Sequence, residues 1–218
     1  MCGGRGTRLG GEAEKPLRTV AGVPMVDRVL DALAASRVGK VSAVVSPHAT
    51  RTRAHVEARA NGSASLSVVD APGNGYVADL QYAMDAVGGG GDALLTVAAD
   101  LPLLDGPAVN AVLDAARAAG GSLTVCVPAA RKRELGVSAD ATTEVDGREV
   151  VPAGINVVGG RESERDDSAA PAEGDAAAPG TVHLTDDARF AVNVNYPSDA
   201  QTAARLLTDD STKTHTDR

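Results

Sequence analysis

The chain has 218 residues, enough for one α/β domain with a sizeable core. Aromatic residues make up only 2% and Trp is absent, so the core has to be built from Val, Ala and Leu. A formal net charge of −8 argues against a nucleic-acid partner, and no apolar run approaches the ~20 residues of a membrane span. Lysine occurs only at Lys15, Lys40, Lys132 and Lys213. This acidic, lysine-poor, alanine-rich composition fits a halophilic, salt-rich cytoplasm, and equally an acidic protein from a GC-rich genome. Cys2 and Cys126 have no metal-ligand spacing and read as reduced thiols of a cytoplasmic protein. His48, His55, His183 and His215 are scattered, and a surface or loop position is expected for each.

The first seventeen residues, Met1 to Leu17, hold five glycines, two arginines and one lysine. Glycine lets backbone N–H groups turn toward a ligand, and successive N–H groups form a concave anion site. Arg5, Arg8 and Lys15 add positive charge, so the stretch reads as a polyphosphate cradle, with a flexible glycine-rich terminus as the bland alternative. It is neither a Walker loop nor a dinucleotide fingerprint. A phosphate loop of this kind follows a central strand, yet only Met1 and Cys2 precede Gly3. The first strand therefore reads as truncated, and a short apolar strand is expected to be encoded just upstream.

After the loop, Ala21-Gly22-Val23 is a turn and 24–36 reads as an amphipathic helix. Strand 41–45 ends at Ser46-Pro47-His48, helix 49–60 follows, and 66–70 is the next strand. Residues 71–75 form a loop before helix 76–87, with Leu80, Met84 and Val87 inward. Gly88 to Gly91 is a flexible connector, 93–98 a strand, 106–119 a helix and 122–127 a strand. This alternation predicts an α/β, Rossmann-like, mostly parallel sheet with helices on both faces. Thr142–Val145, the turn Asp146-Gly147 and Glu149–Val151 suit a hairpin that continues as strand 152–158. Residues 160–180 have almost no large apolar side chain and read as a disordered insert. A last strand is expected at 189–195 and a last helix at 199–207, fraying after Thr208. The organisation expected is one domain over 1–210, with a disordered tail over 211–218.

Four places suggest chemistry. Asp100, at the end of a strand, can hold Mg²⁺ against triphosphate oxygens, although a turn or capping Asp looks the same in sequence. Gly73 and Gly75 precede a helix N-terminus, a ready anion or base-edge site, where Asp79 suits the helix dipole as well as a ligand. Gly154 inside a strand marks a close approach. Asn193 and Asn195 alternate, so both amides face one side, toward a site or, on an edge strand, toward water.

Gly3-Gly4-Arg5-Gly6-Thr7-Arg8-Leu9 followed by Glu14-Lys15-Pro16-Leu17 resembles the signature loop of Rossmann-like nucleotidyltransferases. Together with Gly73-Asn74-Gly75-Tyr76, Asp79-Leu80, Val151-Pro152-Ala153-Gly154-Ile155-Asn156 and Asn193-Val194-Asn195, it is similar to the archaeal adenosylcobinamide-phosphate guanylyltransferases of cobalamin biosynthesis. The resemblance implies transfer of GMP from GTP to a corrinoid phosphate, with release of pyrophosphate. It places Arg5, Arg8 and Lys15 on the phosphates and Asp100 on Mg²⁺. Gly3, Gly4, Gly6 and Thr7 would line the phosphate loop, and Gly73, Gly75 and Asp79 would lie by the guanine. Gly154, Asn193 and Asn195 would form the nucleotide–acceptor face. It leaves a homodimer open. A molybdenum-cofactor guanylyltransferase and a non-catalytic nucleotide-binding protein are the alternatives.

Overall fold

The first elements of the fold follow from local turn chemistry. In the structure, a computed structural model, residues 1–2, 9–10, 13–87, 93–159 and 181–216 are described. β1 (Thr19–Val20) and β2 (Val23–Pro24) form a hairpin closed by Ala21 and Gly22, whose φ values of +48° and +79° are those of a primed two-residue turn. Pro24 ends that hairpin as the N-cap of α1 (Met25–Ala34). The helix buries Met25, Val26, Val29, Leu30, Ala32 and Leu33.

β3 (Val41–Val45) pairs in parallel with β4 (Leu66–Asp70), with α2 (Thr50–Ala60) between them in the chain. Successive side chains of a strand point to opposite faces. Accordingly Ala43 and Val45 pack with Val26 and Leu30 of α1 and Val56 of α2, whereas Val44 packs with Ala83 of α3 (Tyr76–Val87). Helices therefore cover both faces, as expected. Within α3, Asp79 and Ala83 are the buried positions and Leu80 and Met84 are half-buried. Val87, expected inward, is exposed at the last turn of the helix.

The second sheet contains β5 (Leu94–Val97), β6 (Leu123–Pro128), β7 (Thr143–Val145), β8 (Arg148–Val158) and β9 (Thr181–Leu184). Its order is β5-β8-β6-β9, with β7 paired to β8. β8 merges the expected hairpin arm and the stretch after it, and runs antiparallel to β5, β6 and β7. The sheet is thus mixed, with β6 and β9 parallel. β9 had no cue in the sequence, since four residues beside a polar stretch carry little pattern. The main core lies where Val97, Val125 and Ile155 of this sheet meet α1, α4 (Gly106–Ala119) and α6 (Ala188–Ala191). Gly106 permits the α1–α4 contact, because a Cβ there would sit 2.4 Å from the Ala35 carbonyl oxygen.

Met1 and Cys2 run between the two sheets. Met1 N donates to Val97 O, Cys2 N to Val44 O and Ala99 N to Met1 O, at 2.8, 2.8 and 3.2 Å. β3 and β5 are joined through these two residues, at the place expected for the central strand.

The strand expected at 189–195 is not formed. Asp187 caps a helical turn by accepting from Arg189 N, and α6 occupies the first part of that segment. Val192 and Val194 are fully buried, so the alternation read from the sequence is real. Val194 N donates to Asp100 O instead of to a neighbouring strand. α5 (Ala129–Leu135) was not anticipated, and α7 (Pro197–Thr216) runs well beyond the expected Leu207. The connector at 88–91 and the insert at 160–180 lie outside the described residues.

Candidate active site

The loops that leave β3, β4 and β5 surround a cleft of about 420 Å³. Ser46 and His48 follow β3, Gly73, Gly75, Tyr76 and Asp79 follow β4, and Ala98, Ala99 and Asp100 follow β5. Ligands of open α/β sheets bind at this carboxyl edge. Met1, Cys2, Lys15 and Pro16 complete the wall.

Lys15 stands on a short 3₁₀ turn, Lys15–Leu17, with Pro16 buried beneath it. Its Nζ donates to Asp100 Oδ2 at 2.6 Å and to Asn195 Oδ1 at 2.8 Å. Residues 85 and 180 positions away in the chain thus meet one ammonium group. Among the described residues Asp100 Oδ1 is buried and has no hydrogen-bond partner. A buried carboxylate oxygen left this way is costly, and it is the kind of oxygen that a divalent cation takes as a ligand. Among the described residues no group of three or more His, Cys, Asp and Glu side chains could hold a metal unaided. A divalent ion held at Asp100 would draw its other ligands from substrate phosphates and water.

The neighbour of Lys15 fixes the turn. The Glu14 carboxylate accepts from Arg51 N at 3.0 Å and Thr52 N at 2.7 Å, satisfying N–H groups at the start of α2. Burial pushes its pKa up, but the hydrogen bonds from Thr52 and Arg51 outweigh this and hold it below the usual range. Tyr76 at the cleft wall has its hydroxyl pKa raised by burial and by the negative charge of Asp100.

Asp79, expected as a partner of the helix dipole or of a ligand, lines the cleft and also holds its own loop. Its Oδ1 accepts from Gly73 N at 2.8 Å and Asn74 N at 3.1 Å, so it shapes the loop from inside. Gly73 has φ +81°, and a Cβ there would lie 2.8 Å from Pro47 Cδ, so the loop closes against Pro47 only with glycine. Gly154 has φ +77°, and its Cβ would lie 2.9 Å from that of Ala98. Ala98 lines the cleft, Gly154 O accepts from Ala98 N at 2.8 Å, and Gly154 thus backs the cleft floor.

Of the two asparagines, Asn195 reaches Lys15, while Asn193 Oδ1 accepts from Lys132 Nζ at 2.6 Å. Gly3, Gly4, Arg5, Gly6, Thr7 and Arg8 lie outside the described residues. His48 lies exposed in the loop after β3, as expected, and also lines the cleft. Two residues near the cleft escaped the sequence reading. Lys132 and Asp199, buried on α5 and α7, carry no motif of their own.

A MobA-like NTP transferase domain matches residues 1–180, which include Lys15, Asp100 and the Gly73–Asp79 loop. The chain belongs to the MobA-like NTP transferase family. Among curated relatives, the chain is 30% identical over 164 residues to the adenosylcobinamide-phosphate guanylyltransferase of Methanocaldococcus jannaschii, covering 72% of this chain and 78% of that one. It is 32% identical over 129 residues to a 2-C-methyl-D-erythritol 4-phosphate cytidylyltransferase of Streptomyces avermitilis, covering 58% of this chain and 52% of that one. A solved structure of a putative glucose-1-phosphate thymidylyltransferase from Bacillus anthracis superposes with a TM-score of 0.65 at 13% identity, covering 95% of this chain and 93% of that one. The fold is the Rossmann-like nucleotidyltransferase fold, and this NTP transferase presents its cleft at the sheet edge where the nucleotide of such a fold binds.

Proposed function

We propose that the protein transfers GMP from GTP to adenosylcobinamide phosphate, giving adenosylcobinamide-GDP and pyrophosphate. The observation that carries the transferase chemistry is the meeting of Lys15, Asp100 and Asn195 at one end of the cleft. The similarity to the Methanocaldococcus jannaschii guanylyltransferase supports the choice of nucleotide and acceptor.

In this reading an anionic oxygen of the acceptor phosphate attacks the α-phosphorus of GTP. The bond from that phosphorus to the bridging oxygen of the β-phosphate breaks, and pyrophosphate leaves with the electron pair. No protein nucleophile is required, because the acceptor already carries the attacking charge. Such transfers depend on positioning and on electrostatic stabilisation. Lys15 would supply a fixed ammonium to the triphosphate oxygens, with Arg5 and Arg8 assigned to the same phosphates. Asp100 would hold Mg²⁺ through Oδ1, which fits an oxygen that is buried and without a partner among the described residues. Bound Mg²⁺ supplies charge neutralisation at the phosphates. Asp79 would act indirectly, by fixing the Gly73–Asn74 backbone beside the base.

The test is a pyrophosphate-release assay with Mg²⁺ and adenosylcobinamide phosphate, run with GTP, ATP and CTP in parallel. Release with GTP alone is expected, since a site that hydrogen-bonds a base edge rejects analogues lacking the matching groups. Equal release with all three nucleotides would overturn the guanylyl assignment, and no release with any would overturn the acceptor.

A further inference from the structure

The segment that delivers Asn195 to the cleft is held from two sides by buried charges. On one side Lys132 of α5 is 2% exposed, and its Nζ donates to Ala191 O and Asn193 Oδ1, both at 2.6 Å. On the other side Asp199, at the start of α7, is fully buried. Its carboxylate accepts from Asn195 N, Tyr196 N, Ser138 N and Ser138 Oγ, at 2.9, 2.9, 2.9 and 2.8 Å. Between them, Val194 N donates to Asp100 O at 2.9 Å. Lys15 then takes Asn195 Oδ1.

A buried ammonium or carboxylate can often be replaced by a well-packed apolar side chain without loss of stability. Stability therefore gives no reason to keep both ions here. Geometry does, because each ion fixes a different part of one irregular segment that has no strand neighbour. Two of the chain's four lysines grip the two asparagines of Asn193-Val194-Asn195, Lys132 the first and Lys15 the second.

We propose that Lys132 and Asp199 are positioning residues for nucleotidyl transfer, a charged clamp that aims Asn195 at Lys15 and so fixes the Lys15 ammonium against Asp100. The proposal rests on the assignment of Lys15 and Asp100 to the transfer site. It adds two residues on separate helices, neither touching substrate, on which turnover depends.

A double-mutant cycle tests it. Turnover is measured for the wild type, Lys132→Met, Asn195→Ala and the combination, with KM for GTP measured in each. Lys132→Met is expected to lower kcat by up to about 10²-fold, the effect of misplacing a catalytic group by about 1 Å. KM for GTP should change little, and the combination should be no slower than the slower single variant, because both act through one group. Asp199→Asn should behave like Lys132→Met. Wild-type kcat in folded Lys132→Met, or losses that multiply in the combination, would overturn the clamp. If Lys132→Met fails to fold, Lys132→Met/Asn193→Leu removes the polar partner as well and is read in the same way. Absence of wild-type turnover would count against the proposed function alone. The clamp is then decided by the Asn195 side-chain amide in a nitrogen–proton correlation spectrum. A sharp wild-type signal that broadens in the Lys132 variant supports it, and an unchanged signal overturns it.

Discussion

Lys15 has three donors, and two of them are committed to Asp100 and Asn195. Its position is therefore set by the protein itself, which is what the proposed electrostatic role requires of a charged group. Lys15→Ala should lower kcat by about 10²-fold or more and also lower the melting temperature, because the part-buried Asp100 carboxylate loses its ammonium partner, as turnover and thermal unfolding of the same preparation will show. Asp100→Asn should shift the Mg²⁺ dependence of turnover to higher concentration, read from an Mg²⁺ titration at saturating GTP. Gly154 acts through packing. Gly154→Ala brings a Cβ within 2.9 Å of that of Ala98 at a φ of +77°. A cost of about 1–3 kcal/mol is expected in urea unfolding. Lys15, Asp100, Gly154 and Asn195 were legible in the sequence because each sits in a motif with a strand or turn beside it. Lys132 and Asp199 were not, because a lone lysine in a short helix and an aspartate in the first turn of another read as solvated charge.

At the scale of elements, the helices α1 to α4 and the strands β3 to β6 followed from period and turn chemistry, with α3, α4, β3 and β4 matching the expected bounds, whereas the β1–β2 hairpin reads in the sequence only as a turn. The failures share a cause. The segment 188–195 has strand-like alternation of Val and Asn, yet Asp187 caps a helical turn and the rest bonds to Asp100 O and Asp199. Tertiary partners decided that conformation, and they lie far away in sequence. Glu14 shows the same kind of link, from the lysine turn to α2. Its pKa is lowered in the fold by the Thr52 and Arg51 hydrogen bonds, which exceed the opposing effect of burial. A carboxylate with a depressed folded pKa stabilises above its unfolded pKa, about 4.3 for Glu, and loses that contribution as pH falls through the folded value. The stability advantage of wild type over Glu14→Gln should accordingly be full at neutral pH and shrink below about pH 4 in denaturant titrations. An advantage independent of pH would show that the Glu14 charge is immaterial.

At the scale of the whole molecule, the β3–β4 sheet and the five-stranded sheet meet at Met1–Cys2, with the cleft opening at that junction. The expected hairpin accounts for the β7–β8 pairing, but no turn links β8 to β5 or β6, so nothing in the amino-acid pattern indicated that it would run antiparallel to them as well. Charge also acts at this scale. The net charge of −8 repels itself, and at about 1 M salt the Debye length falls to ~3 Å, which removes most of that repulsion. Surface pairs such as Arg53–Asp70 and Arg59–Asp31 weaken too, but exposed pairs contribute little to stability. We expect the melting temperature to rise between dilute buffer and molar KCl, and a steady fall would show that the ion pairs dominate. The central claim, that this cleft moves a guanylyl group onto a corrinoid phosphate, is tested most directly by following the α-phosphate of GTP. With GTP radiolabelled at the α-phosphorus, Mg²⁺ and adenosylcobinamide phosphate, the label should appear in the corrinoid product with wild-type protein and be strongly reduced with Lys15→Ala. Label that stays with GTP, or enters the corrinoid equally with both proteins, would contradict the account.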